Sequence, residues 1–160
     1  MDHTLETRIG SLLRERGSTL ALAESCTGGL VSDRITNVPG SSAYFRGGIV
    51  AYAYQAKVDL LGVLWATLQS HGAVSREVVL EMAHGANNAL KSDIAVSISG
   101  VAGPDGGTES KPVGTVWLAL VAADSTRAIE FHFTGDREQI KAASADAALQ
   151  LLLDYLQGNV

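Results

Sequence analysis

The chain has 160 residues, with 12 Lys plus Arg against 17 Asp plus Glu, a formal net charge of −5. That length suits one domain, residues 1–160, and a net negative chain without a Lys/Arg run lacks the electrostatic footprint of a nucleic-acid binder. No apolar run reaches the ~18 residues of a membrane span and the N-terminus has no signal-like apolar core, so a cytoplasmic protein with no membrane contact is expected.

Leu5, Ile9, Leu12 and Leu13 recur at helical spacing and predict an amphipathic helix over about 3–16, stopped at Gly17. The apolar run Thr19 to Ala23 predicts a buried strand. It ends in Glu24-Ser25-Cys26-Thr27-Gly28-Gly29, and Leu30, Val31, Ile35 and Val38 then predict a helix broken before Pro39. Gly47 to Ala53 reads as a second strand and Tyr54 to Leu61 as a helix. Ser75, with Glu77 and Val78 behind it, starts a helix to about Leu90. Ile94 to Ser99 reads as a central strand. Val113 to Ala122 and Ala128 to Phe133 make a late hairpin with Asp124-Ser125 in its turn. Ile140, Ala143, Ala147 and Leu151 mark a closing helix from about Asp136. Alternation of helices and strands, then a hairpin, predicts an α/β domain: a mixed central sheet with helices on both faces, in three α/β/α layers.

Glycine is concentrated rather than periodic. Of 17 glycines, five lie between Gly28 and Gly48 and five between Gly100 and Gly114, and all three prolines share those stretches. Two shaped loops are expected there. Charged residues are 18%, below the usual ~25%, which points to self-association as a homo-oligomer.

The first loop follows a strand and opens a helix, where backbone N–H groups favour negative charge. Ser25 is placed there as a nucleophile, with Thr27 as a phosphate or carbonyl contact; helix capping by Thr27 or Ser25 is the structural alternative. Cys26 is intrinsically the better nucleophile. A strand-like alternation would turn it away from the site of Ser25, as a small buried hydrophobe. Tyr52 and Lys57, at the end of a strand and the start of a helix, can relay and accept the serine proton; a half-buried Tyr and a solvated Lys are the alternative. The second loop, Gly100 to Thr108 with Lys111, lets backbone approach a ligand closely or is simply tight. His3, His71, His84 and His132 have no ligand spacing, and Cys26 stands alone, so neither a metal nor a cofactor is expected.

The combination resembles the C-terminal domain family of the competence/damage-inducible protein CinA. The resemblance rests on Ala23-Glu24-Ser25-Cys26-Thr27-Gly28-Gly29, Pro39-Gly40-Ser41-Ser42, Tyr52 with Lys57, and His71-Gly72-Ala73-Val74-Ser75. It continues in Ser99 to Gly107, in Lys111-Pro112-Val113-Gly114-Thr115-Val116 and in Gly135-Asp136-Arg137. It implies a stand-alone nicotinamide-nucleotide amidase. The substrates would be nicotinamide mononucleotide and water, and the products nicotinate mononucleotide and ammonia, in pyridine-nucleotide salvage.

On that resemblance Ser25 attacks the carboxamide, with Ser42 as the rival nucleophile, and Lys57 and Tyr52 serve as base and relay. Backbone at Thr27, Gly28 and Gly29, or at Gly100, holds the oxyanion. Gly100, Gly103, Gly106, Gly107 and Thr108 shape the nucleotide pocket, and Lys111 or Lys141 grips the phosphate. Two departures stand out. Ala53-Tyr54 replaces the family's small polar pair, and Lys141 replaces an Arg, keeping the charge but losing the bidentate fork. The competing reading is a nucleotide-binding regulatory module without catalysis; a plain oligomeric scaffold is a third.

Overall fold

The computed structural model describes residues 4–160; the expected helix start near residue 3, and His3, lie outside the described residues. Thr4 caps α1 (Leu5–Arg16), and Gly17 ends it at φ 63°, a left-handed conformation glycine adopts freely. There follow β1 (Leu20–Glu24), α2 (Leu30–Thr36), a 3-10 turn (Ser41–Ala43) and β2 (Phe45–Val50). Next come α3 (Tyr54–Leu61), α4 (Trp65–His71), α5 (Arg76–Leu90) and β3 (Ile94–Gly100). The chain closes with β4 (Thr115–Ala122), β5 (Ser125–His132) and α6 (Arg137–Leu156).

The strands form one sheet in the order β2-β1-β3-β4-β5. β1 runs parallel to both neighbours, and the β3–β4 and β4–β5 pairs are antiparallel. The sheet is therefore mixed. Alternation along β1 and β3 explains its two covers. Leu20, Leu22, Ile94, Val96 and Ile98 pack with residues of α1, α2 and α6 on one face. Ala21, Ala23 and Ala95 pack with residues of α3, α4 and α5 on the other. Small residues on that second face let α5 lie close, and Ser97 donates to the Val79 carbonyl at 2.5 Å. The result is three α/β/α layers.

Several boundaries differ from expectation. β2 begins at Phe45, beside Leu20, and ends at Val50; residues 51–53 leave the strand to start α3. β4 begins at Thr115, because Thr115 N–H donates to Pro112 O at 3.0 Å and Gly114 turns at φ 94°. The hairpin turn is at Ala123-Asp124, so β5 starts at Ser125. α4 and the 3-10 turn are too short to show a period in the sequence.

α5 presses so near the end of α3 that a Cβ on Gly85 would lie 1.9 Å from the Leu61 carbonyl oxygen. Gly85→Ala is expected to cost roughly 1–3 kcal/mol or more, as overpacked positions do. The fall should be read in the urea midpoint at unchanged slope. An unmoved midpoint would show that the contact gives way freely.

The parallel strands place the site. From β1 the chain moves through α2 to β2 on one side. It then returns across the other face, through α3–α5, to β3 on β1's other side. The carboxyl ends of β1 and β3 thus border a topological switch point, where open α/β sheets hold ligands.

Candidate active site

Ser25 follows the last residue of β1 and is buried, its N–H donating to Ile98 O at 3.0 Å. The turn that carries it is built around Glu24. This carboxylate is fully buried and accepts four hydrogen bonds: from Thr27 Oγ1 at 2.6 Å, Val31 N at 3.0 Å, Ser32 N at 3.0 Å and Ser32 Oγ at 2.7 Å. The two amides belong to the first turn of α2, so Glu24 caps that helix from the preceding strand. Capping by Thr27 or Ser25 is thereby corrected. Glu24→Gln would set an amide NH₂ against donors, and the fold should lose at least about 1–3 kcal/mol, the cost of one stranded buried donor. Thermal melting of the variant at neutral pH checks this; a melting temperature equal to wild type would remove the role.

Lys57 lies in the first turn of α3 and is 1% exposed. Its Nζ sits 2.9 Å from Ser25 Oγ, 2.8 Å from Ala51 O and 3.0 Å from Tyr52 O. Burial pushes the amine down to about 8, partly opposed by the neighbouring Cys26. The three contacts are not equivalent. A carbonyl only accepts, whereas a hydroxyl can donate or accept. A neutral Lys57 therefore gives its two N–H bonds to the carbonyls and turns its lone pair on the Ser25 hydroxyl. That is the geometry of a base on its nucleophile.

Ser25 and Lys57 open into a cavity of about 270 Å³, near the lower end of the ~300–1,000 Å³ typical of small-molecule sites. Gly100, Gly103 and Gly106 line it, as do Tyr52 and Tyr54. Cys26 lines it too, since the strand has ended before Ser25 and alternation no longer applies. Burial raises its thiol to about 11, with the Glu24 carboxylate adding to the effect, so it is the poorer nucleophile here.

Other expected residues lie elsewhere. Ser42 belongs to the 3-10 turn before β2, and β2 runs parallel to β1. It therefore sits at the amino end of the strands and Ser25 at their carboxyl end, roughly 15 Å apart at ~3.3 Å per residue of β1. Lys111 donates to the His71 carbonyl and lines a separate groove with Arg76 and Trp117. Gly107 and Thr108 are not in the cavity wall, and Thr108 closes a turn on Lys111. The Thr27 hydroxyl is taken by Glu24, and Gly28 N–H donates to Ser25 O. Gly28 and Gly29 shape the turn at φ 61° and 105° without lining the cavity. Lys141 Nζ lies 3.9 Å from where a Cβ on Gly28 would be and does not line the cavity, although its charge reaches the Cys26 thiol that does.

Tyr52 meets Lys57 through its carbonyl, not its hydroxyl. The hydroxyl instead accepts from Arg137 Nη2 at 2.8 Å, and the ring is 58% exposed. A relay through the Tyr52 hydroxyl has no hydrogen-bonded path to Ser25 or Lys57 here. Two residues were missed by sequence reasoning, and each carried a signal. Glu24 ends a strand that is otherwise wholly apolar, and a buried carboxylate needs partners. Arg137 stands at the first position of α6, where the helix dipole disfavours a cation.

Among the described residues, no three His, Cys, Asp or Glu side chains gather as a metal site, and no helix is long and apolar enough to cross a membrane.

Fold and site together define an α/β domain with a Ser–Lys pair at the switch point of its sheet. The chain matches the CinA C-terminal domain over residues 2–156, and it belongs to that family. It is 50% identical over 149 residues to a CinA-like protein of Geotalea daltonii, covering 93% of this chain and 36% of that protein. With a CinA-like protein of Thermotoga maritima it shares 48% over 158 residues, 99% of this chain and 38% of the other. The chain thus spans little more than a third of the length of these relatives. Among solved structures, the competence/damage inducible protein CihA from Agrobacterium tumefaciens is 41% identical with a TM-score of 0.92, covering 96% of this chain and 93% of that one. A CinA superfamily protein from Klebsiella pneumoniae gives 37%, 0.93, 96% and 96%.

Proposed function

We propose that this chain is a serine amidohydrolase that converts nicotinamide mononucleotide and water to nicotinate mononucleotide and ammonia. The observation that carries the reaction type is the Lys57 amine, buried, fixed by two main-chain carbonyls and 2.9 Å from Ser25 Oγ. The substrate comes from the family resemblance of the motifs around that pair.

Lys57 takes the Ser25 proton as Oγ attacks the carboxamide carbon. The N–H groups of Cys26 and Thr27 donate to no other residue among the described residues, the Cys26 amide facing only its own thiol. They follow the nucleophile directly and would hold the oxyanion, a role Gly28 cannot share because its N–H is already used. The Lys57 ammonium then gives its proton to the departing nitrogen, and ammonia leaves an ester on Ser25. Water attacks this ester, Lys57 takes the water's proton and returns it to Ser25 Oγ, and the carboxylate is released.

The test is ammonia release from nicotinamide, its riboside and its mononucleotide. Turnover fastest on the mononucleotide is expected. Binding of the mononucleotide without ammonia would instead leave a nucleotide-binding module, and no response to any of the three would remove the reading.

A further inference from the structure

Two sequence motifs supply no reacting group, His71 to Ser75 and Lys111 to Val116, and the fold brings them into contact. The turn between α4 and α5 carries three successive carbonyls that each accept from a different side chain. Lys111 Nζ donates to His71 O, Ser75 Oγ to Gly72 O at 2.8 Å and Ser99 Oγ to Ala73 O at 2.8 Å. Gly72 turns there at φ 74°, and a Cβ on it would lie 3.1 Å from Lys111 Nζ, so glycine leaves the ammonium room to reach the carbonyl.

The three pins differ in what they join. Ser75 belongs to the turn itself, and Ser99 to the buried end of β3. Lys111 belongs to the glycine loop, where its N–H donates to Thr108 Oγ1 at 3.0 Å and its carbonyl accepts from Thr108 N at 2.9 Å. Turn and loop are two walls of one cavity. Ala73 and Val74 line it from the turn, and Gly103, Asp105 and Gly106 from the loop. Among the described residues no other hydrogen bond or ion pair joins the turn to the loop.

We propose that Lys111 is a positioning residue: it staples the 71–75 turn to the glycine loop and holds the cavity at the width its ligand needs, without touching the ligand. Lys57 is seated on the Ala51 and Tyr52 carbonyls, outside both segments, so the staple acts on binding and not on bond making. The ligand's identity rests on the amidase reading, but the first measurement needs no ligand. Cys26 is the chain's one cysteine and lines the same cavity at 4% exposure. Its alkylation by iodoacetamide, followed by mass, therefore reports opening of the walls. Lys111→Met should be alkylated about 10- to 100-fold faster than wild type, the range of one charge-assisted hydrogen bond, and Lys111→Arg should fall between the two. The rise should persist unaltered in low urea, because a local opening exposes little surface. Lys111→Met should also bind nicotinate mononucleotide and nicotinate riboside more weakly by a common factor in calorimetric titrations. In turnover of nicotinamide mononucleotide the loss should fall on KM and not on kcat. Alkylation at the wild-type rate overturns the staple, as does a rise that steepens with urea in the manner of global unfolding. Weakening confined to the mononucleotide overturns it too, and would make Lys111 a phosphate contact. Ammonia release by wild type is read separately, and its absence beside faster alkylation of Lys111→Met would sink the amidase reading alone.

Discussion

Ser25→Ala is expected to lower ammonia release from nicotinamide mononucleotide by about 10⁴-fold or more, the scale on which removal of a nucleophile acts. Ser42→Ala should keep turnover within the same order as wild type. The two hydroxyls sit at opposite ends of the parallel strands, and only Ser25 has a base within hydrogen-bond reach. The loss should appear in kcat, since the hydroxyl acts in bond formation, while the mononucleotide still binds. A Ser25→Ala enzyme with wild-type turnover would end the acyl-enzyme mechanism.

Lys57→Met should cost about 10²- to 10⁴-fold in kcat, the usual contribution of a positioned base. It should also erase a pH dependence. The working form of Lys57 is neutral, and burial sets its folded value at about 8. In wild type, kcat/KM should therefore climb about tenfold per pH unit below that value and level off above it. Stability follows the same group with a definite sign. The folded value is depressed below the ordinary 10.5, so between about 8 and 10.5 the unfolded chain holds a proton that the folded chain has released. Lys57 therefore makes stability rise with pH across that window, and its penalty is full below it. Melting curves of wild type and Lys57→Met from pH 7 to 10.5 should converge in that direction. A wild-type rate profile flat between pH 6 and 9 would contradict the neutral-amine mechanism.

The architecture was largely legible because long apolar periods leave few alternatives. Five strands and five of the six helices fall close to where the sequence pattern puts them. α4 and the 3-10 turn have less than two full turns to repeat a pattern. The site was legible where local sequence forces the geometry. Ser25 had to leave β1 into a glycine turn, and Lys57 had to enter a helix just beyond a strand.

The cations were less legible. Lys111, Lys141 and Arg137 are all plausible anion contacts by type, and only the packing of a loop against α6 decides which one enters the cavity. Gly107 and Thr108 were drawn into the pocket by proximity in sequence to Gly103 and Gly106. The turn on Lys111 carries them away instead. Tyr52 shows the subtlest divergence. The residue is in contact with the base, but through an atom every residue possesses.

That carbonyl contact separates two properties that active sites often entangle. Lys57 is seated by the path of the main chain at positions 51 and 52, so its placement on Ser25 uses no side chain at 53 or 54. Tyr54 lines the cavity all the same. The residue facing the ligand at position 54 can therefore be exchanged without moving the base off its nucleophile. A library randomised at position 54 would sample ligand preference while leaving the reaction itself in place.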